Sequence, residues 1–406
     1  HPDLITEHGS PGPLTYEIEL YQGCVRFKRG CRFCIEPKKG LPLWRPEEDV
    51  LSEITGALDS GVANIRIGGA TDIYTYKAEG VEDLEYPIPN PEPIAKVLHG
   101  AREDERLQIL HVDNANPSIV AENIEPSTEI TRTLVDTLSD GAVLSFGLES
   151  ADPEVLEQNW LNCDPEQLKI AVRHINEFGR GRGQRGLPQL LPGLNFIAGL
   201  NGETEESYRM NLELLKSIRL EGLWLRRINI RQVEGQGFQE IPEKAFKKFK
   251  LKVRNEFDSP LLEEMLPTGT ILRDIWWEAQ DDRIRRPEQV LDPKYRDQSI
   301  RGKPGVTFGR QIGAYPILVG VPYRIPLETS SDIMVTGHGK RSITGVEMGL
   351  DVNTATQHQL QSIPGISSKG AWRLISARAR EEDGNFDSVE EAFNAAELEL
   401  PQYWKG

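Results

Sequence analysis

The chain has 406 residues, four cysteines and a net charge of −16, from 47 basic against 63 acidic side chains. That length accommodates two or three domains, and no run of about eighteen apolar residues is present to cross a membrane. The acidic balance excludes nonspecific coating of DNA by the whole surface but leaves room for a local basic patch. Few cysteines and no secretion signal predict a reducing cytoplasm. The first residue is His1 and not Met, so the sequence reads as a processed, trimmed or partial chain.

From residue 14 to 233 strand and helix patterns alternate. Strands are expected at Leu14–Leu20, Asn64–Ile67, Leu107–Val112, Ala142–Phe146, Gly193–Ala198 and Trp224–Ile230. Helices are expected between them at Pro46–Leu58, Pro91–Arg102, Glu129–Leu138, Pro165–Phe178 and Glu203–Arg219. Thr204 precedes two acids, and Asp164 precedes Pro165 and Glu166, both good helix starts. Strands joined by crossover helices make a parallel sheet. Six such units are too few to close an eight-unit barrel, so the expected fold is α/β, a partial (β/α)6 TIM-type barrel. Sites of such sheets lie at the carboxyl ends of the strands.

The first strand opens into Gly23-Cys24-Val25-Arg26-Phe27-Lys28-Arg29-Gly30-Cys31-Arg32-Phe33-Cys34, which holds three of the four cysteines. Clustered thiolates in a cysteine-poor chain point to a soft metal. Three are one short of the shell of a structural zinc or a simple iron–sulfur centre, so one metal position would stay open to a ligand. Three plainer readings compete. Zinc would need a histidine, and His8 and His99 lack finger-like spacing. A structural four-iron cluster of the kind in helix-hairpin-helix DNA glycosylases would need a fourth cysteine where Gly40 stands; the remaining one is Cys163. A disulfide is disfavoured by the odd local count.

The later strand ends carry Gly68-Gly69-Ala70-Thr71-Asp72, His111 to Asn116, Gly147-Leu148-Glu149-Ser150 and Gly199 to Thr204, while the sixth strand carries Arg226, Arg227, Asn229 and Arg231. Any one of these loops reads equally well as turn chemistry; together at one rim beside three thiols they read as a site. The combination resembles the radical S-adenosylmethionine (SAM) superfamily. The cysteine loop resembles its cluster loop, and Gly68-Gly69 its glycine pair. Gly147 to Leu156 and Asn195 to Thr204 resemble signatures of the branch with tRNA methylthiotransferases and oxygen-independent coproporphyrinogen dehydrogenase. Departures are a six-residue first cysteine gap, Ala70 where an acid is common and Asn201 where proline is typical. The long gap resembles an archaeal group of radical SAM proteins with a C-terminal helix-hairpin-helix motif.

The resemblance implies a [4Fe–4S] cluster on Cys24, Cys31 and Cys34, with SAM on the open iron. Reduction by an external donor of ferredoxin or flavodoxin type then cleaves SAM to methionine and a 5′-deoxyadenosyl radical. It further implies that Gly68 and Gly69 receive the SAM amino group, Glu149 and Ser150 hold ribose or carboxylate, and Ile197 and Gly199 line the adenine. Asn114, Arg227 and Arg231 are candidates for polar contacts to SAM or substrate.

With the barrel assigned to residues 1–235, residues 236–266 are expected to form a lysine-rich linker helix, a solvated face or a nucleic-acid contact. Residues 267–348 lose helical periodicity and gain Gly, Pro and β-branched residues, predicting a small β-barrel. It resembles the TRAM-type RNA-binding barrel, with Arg310, Tyr315, Lys340 and Arg341 as candidate contacts. Residues 349–406 resemble a helix-hairpin-helix. Gly365, Ile366 and Ser367 would present N–H groups to a phosphate, and Lys369, Arg373 and Arg378 would add charge. These modules suggest an enzyme acting on nucleic acid, with tRNA modification foremost. Methylthiolation is disfavoured, because it needs three more cysteines for a second cluster. The rivals are a nucleic-acid-binding protein with a structural cluster, and a small-molecule radical enzyme with a dimerising tail.

Overall fold

The computed structural model describes residues 14–69, 72–235, 237–281, 305–381 and 384–404. His8, Ala70, Thr71 and residues 282–304 of the expected small barrel lie outside the described residues. The chain divides into two compact units. The first comprises residues 1–261 with 313–315, the second residues 262–312 with 316–406.

The first unit contains strands β1 (Tyr16–Ile18), β2 (Tyr21–Gln22), β3 (Leu43–Trp44), β4 (Asn64–Ile67), β5 (Ile109–Val112), β6 (Asn114–Ala115), β7 (Ala142–Glu149), β8 (Leu190–Ala198) and β9 (Arg227–Gln232). Strands β1, β4 and β5 form one parallel sheet in that order, and β6 to β9 form another. Strands β2 and β3 pair antiparallel around the cysteine loop. Asp113 separates β5, which ends at Val112 as expected, from β6, a short strand the sequence did not suggest. Its carbonyl accepts the Ser145 N–H at 2.8 Å, which links the two sheets at that point. All four β5 residues are buried, as parallel strands covered on both faces require.

The covering helices Glu47–Asp59, Pro91–Arg102, Ile124–Thr137, Pro165–Gly179 and Glu205–Leu220 follow the sequence pattern. Pro165–Gly179 shows why. Asp164 accepts the N–H groups of Glu166 and Gln167 in a capping box, and Pro165 takes the first helical position. Leu168, Ala171, Val172 and Ile175 then fall on one buried stripe. Burying Leu168 or Ile175 is worth about 1.5–3 kcal/mol each. A charge at Ile175 would break that face.

The expected linker helix resolves into Glu243–Lys252, a wider turn over Val253–Asp258 and Ser259–Met265. Phe246 and Phe249 are buried, with the Phe249 ring stacked on Tyr208 at 5.2 Å, so Glu243–Lys252 packs as part of the first unit.

The second unit contains β10 (Ile271–Asp281), β11 (Val306–Gln311), β12 (Leu318–Val321), β13 (Ser330–His338) and β14 (Ser342–Glu347), closed as a barrel in the order β10-β11-β12-β14-β13. Among the described residues of this barrel, β12 and β14 pair parallel and the other neighbours antiparallel. The barrel matches the sequence expectation, but β10 was not foreseen. It is broken by a bulge at Arg273–Asp274, where Asp274 takes φ +56°, and Trp277 is fully buried with Nε1–H on Ser331 Oγ at 2.9 Å. After the barrel come helices Gln357–Ser362, Ser368–Arg378 and Val389–Ala395.

Candidate functional site

The cysteine loop is shaped by glycine. Gly23 has φ +92°, and a Cβ there would lie 2.8 Å from the Gly40 carbonyl oxygen, the oxygen that accepts the Cys24 N–H at 3.3 Å. Turn bonds from Phe27 N–H to the Cys24 carbonyl and from Cys34 N–H to the Cys31 carbonyl fold the loop on itself. The Arg32 N–H donates to the Asn159 carbonyl, and Arg26 Nη1 to the Trp160 carbonyl at 2.8 Å. The loop is thus tied to the turn after helix Pro153–Gln158.

Cys24, Cys31 and Cys34 are free, half-buried thiols lining one cavity of about 270 Å³. Among the described residues no three His, Cys, Asp or Glu side chains converge on a single-ion position. The thiols instead stand around a shared volume. Burial pushes Cys24 and Cys31 up to about 11 and raises Cys34. Left alone they are neutral thiols, so a positively charged metal centre is what would hold them as thiolates. Arg26 already approaches two of the sulfurs, through its N–H to Cys24 Sγ at 3.4 Å and Nη1 to Cys31 Sγ at 3.5 Å. Donor type, number and shared cavity fit a cluster with an open position.

Of the residues singled out from sequence, Gly69, Asn114 and Glu149 line the same cavity. Glu149 ends β7, where the pairing with β8 slips between Gly147 and Glu149. This bulge puts Glu149 at φ +72°, an uncommon conformation for a side chain with a Cβ. Its Oε2 is buried and has no hydrogen-bond partner among the described residues. Burial pushes the carboxyl up to about 8, with Arg231 pulling the other way. An unpartnered carboxyl facing a cavity is a site for a hydroxyl or ammonium group.

Other predicted residues stand off the cavity wall. Gly68 lies behind Gly69, where a Cβ would meet Glu17 Oε1 at 2.4 Å. Ser150 is buried and its Oγ accepts the Asp152 N–H at 3.2 Å. Ile197 packs with Val155 and Leu200, and Phe33 of the cysteine loop rests on that group. Gly199 has φ +93° and donates its N–H to Glu203 Oε1 at 3.1 Å. Arg227 lies with its guanidinium 4.5 Å from the Tyr315 ring centre and donates to Asn229 Oδ1.

The cavity also draws in Asp72, Asn116 and Asn195, which the sequence marked only as parts of strand-end loops or a signature, and Ser145 and Asn162, which it did not mark. Asn195 and Ser145 come from neighbouring strands and share a 3.1 Å hydrogen bond, Asn195 Nδ2 donating. Asn162 donates to Asn116 Oδ1 at 2.6 Å. Asp72 is buried, accepts the N–H groups of Tyr74 and Asn116 on Oδ1, and is pushed by burial up to about 7. His111 is structural. Its Nε2 pairs with the Ser139 carbonyl and Nδ1 with the Ala314 N–H, and burial holds its pKa down at about 3.

In the second unit Ser367 caps helix Ser368–Arg378, accepting the Gly370 N–H at 3.1 Å. Gly365 makes the preceding turn at φ +94°, and the Ile366 N–H donates to the Ile363 carbonyl within it. Lys369 and Arg373 are exposed, whereas Arg378 donates to the carbonyls of Val352, Asn353 and Ala355. Arg310 pairs with Glu278 at 2.7 Å.

No protein-family profile matches the chain. It is 38% identical over 355 residues to an uncharacterized protein of Methanocaldococcus jannaschii, covering 84% of this chain and 62% of that one. It is 37% identical over 377 residues to an uncharacterized protein of Archaeoglobus fulgidus, covering 89% and 65%. The chain therefore spans less than two thirds of the length of these two relatives. A more distant relative is the ribosomal protein uS12 methylthiotransferase of a Salmonella strain, 26% identical over 269 residues, 63% of this chain and 54% of that one. Among solved structures, coproporphyrinogen III oxidase from Escherichia coli, described as a radical SAM enzyme, matches 77% of this chain and 70% of its own at 13% identity and a TM-score of 0.40.

Proposed function

We propose that the chain is a radical SAM enzyme whose catalytic core is a partial (β/α)6 barrel. The observation that carries this reading is the single cavity on which three cysteines, Gly69, Asn114 and the unpartnered carboxyl of Glu149 meet. The parallel strand succession and the distant methylthiotransferase relative support it. Cys24, Cys31 and Cys34 would hold a [4Fe–4S] cluster, which with SAM bound would supply reductive cleavage of SAM to a hydrogen-abstracting 5′-deoxyadenosyl radical.

The chain's residues bind, orient and shield. Gly69, at φ +71°, leaves its backbone open to a SAM amino group. Glu149 accepts from the ribose hydroxyls or the ammonium group. Asn114, Asn116 and Asn195 offer amide donors and acceptors along the wall. Phe33 keeps water from the side of the cavity it faces, and Ile197 and Leu200 support it from behind. Gly68, Ser150, Gly199 and Arg227 act one step back, setting the loops that carry these contacts.

The substrate we propose is nucleic acid, with tRNA foremost. The turn at Gly365 to Ser367 and the exposed Lys369 and Arg373 support this as a phosphate contact. A second reading is favoured by the relative named for ribosomal protein uS12, namely a ribosomal polypeptide. The test is anaerobic reconstitution with iron and sulfide, reduction with dithionite, and EPR before and after SAM. A reduced four-iron signal that shifts with SAM, with 5′-deoxyadenosine formed, is the expected result. A signal indifferent to SAM with no 5′-deoxyadenosine refutes the enzyme. Unmodified tRNA and ribosomal protein, each added to the active enzyme, then separate the two substrates.

A further inference from the structure

Residues 24–39 hold six cations, Arg26, Lys28, Arg29, Arg32, Lys38 and Lys39, against one acid, Glu36, in a chain of net charge −16. Acidic proteins do not concentrate positive charge on one loop without consequence for what approaches it. Here the positive charge faces outward. Lys28, Arg29, Arg32, Lys38 and Lys39 are exposed; Lys39 reaches Glu36 at 2.6 Å, and Lys28 Nζ donates to the carbonyl of Glu82. Two exposed apolar groups accompany these cations. Ile35, next to Cys34, is 60% exposed, and Trp160 is 36% exposed with the guanidiniums of Arg32 and Arg29 over its ring at 4.5 and 5.5 Å. An aromatic and an aliphatic anchor among charged side chains is the composition of a protein-binding surface. Its back is the thiols themselves, since Cys31 Sγ is 3.5 Å from Arg26 Nη1 and Arg26 also grips the Trp160 carbonyl.

We propose that Lys28, Arg29, Arg32, Ile35 and Trp160 form the docking surface for an acidic one-electron carrier protein that reduces the cysteine-held centre. This rests on the reading of the three thiols as a redox cluster. The transfer moves one electron from carrier to centre, the carrier is oxidised by one, and no bond forms or breaks. The surface suits that task because Ile35 directly follows Cys34 and the Arg26 guanidinium bridges Cys31 Sγ and the Trp160 carbonyl, and electron transfer weakens steeply with distance. A nucleic-acid backbone would use the cations but has no need of an exposed isoleucine beside the cysteine. The charge sets encounter and the apolar pair sets residence, so binding should be strongly salt-dependent.

The experiment uses the reconstituted chain with purified flavodoxin and, separately, a small acidic ferredoxin. Wild type is compared with the triple variant Lys28→Glu, Arg29→Glu, Arg32→Glu. The expected result is a loss of at least about tenfold in carrier affinity at low ionic strength. The difference should shrink toward none near 0.5 M salt, where the Debye length falls to about 4 Å. Iron content and dithionite-driven SAM cleavage should be unchanged. Should the triple variant fail to fold, Arg29→Ala, which removes one exposed cation, is expected to weaken binding about threefold. Unchanged carrier affinity in the variants, or no saturable binding of either carrier to wild type, overturns the proposal while dithionite-driven cleavage leaves the enzyme reading standing. Absence of dithionite-driven cleavage in wild type instead condemns the enzyme reading. Carrier binding that survives while tRNA binding is lost assigns the surface to nucleic acid and also overturns the proposal.

Discussion

Replacing Glu149 by Gln tests the cavity most directly, because the structure fixes both sign and size of the effect. The carboxyl oxygen Oε2 is buried with no hydrogen-bond partner among the described residues, and burial lifts the group to about 8 from an ordinary 4.5. The folded chain therefore binds a proton on Glu149 that the unfolded chain has released, throughout the window between those values. Stability falls as pH rises through that window, by about 1.4 kcal/mol per pH unit. Between pH 6 and pH 9 the two upper units of the window are crossed, a loss of roughly 2–3 kcal/mol. Glutamine keeps the shape and cannot ionise, so the variant escapes this loss. Denaturant unfolding of the cofactor-free proteins across that range should show Glu149→Gln gaining on wild type by roughly 2–3 kcal/mol. In SAM binding to the reconstituted protein above pH 8, where the carboxyl is ionised, the same variant should lose at least about tenfold, one charge-assisted hydrogen bond being worth about 1.5–3 kcal/mol. Parallel stability curves would refute the buried-carboxyl reasoning whatever the binding result.

Cys34→Ala should collapse iron content and SAM cleavage together while the chain remains soluble; retained cleavage would refute the cluster assignment. Gly23→Ala forces a Cβ to 2.8 Å from the Gly40 carbonyl oxygen at φ +92°. It should lower first-unit stability by about 1–3 kcal/mol and reduce iron uptake, read by thermal unfolding and iron assay. Arg378→Ala removes donors to the carbonyls of Val352, Asn353 and Ala355. It should destabilise the second unit by about 2–3 kcal/mol, as charged hydrogen bonds do, with SAM cleavage unaffected; an unmoved unfolding transition would show those contacts carry no weight.

What could be read in the sequence was what is local. The cysteine loop announces itself because thiols are rare and their spacing is short. The crossover helices do so because capping residues and a 3.6-residue stripe are written within each segment, as at Asp164 to Ile175. The short strand Asn114–Ala115 was illegible, because two residues joined to β7 beside an Asp113 carbonyl that accepts from Ser145 leave no trace in hydrophobic pattern. The strand Ile271–Asp281 was hidden for a related reason. Its bulge at Asp274 shifts the alternation midway, and the two halves fall out of phase.

The cavity divides along the same line. Gly69, Asn114 and Glu149 stand at strand ends, where the topology alone predicts chemistry. Ser145 sits within its strand and meets Asn195 only when β7 pairs with β8, so nothing near it marks it, whereas Asn195 opens a signature legible in the sequence. Ser150 and Gly199 show the converse. They stand in the right motifs, yet the Ser150 hydroxyl accepts from the Asp152 N–H beside the wall residue Glu149, and the Gly199 N–H donates to Glu203, so both shape their loops instead of lining the cavity. A motif thus specifies the loop more reliably than it specifies the contact. For this chain the contact that matters is the one the loop leaves unsatisfied, the buried oxygen of Glu149.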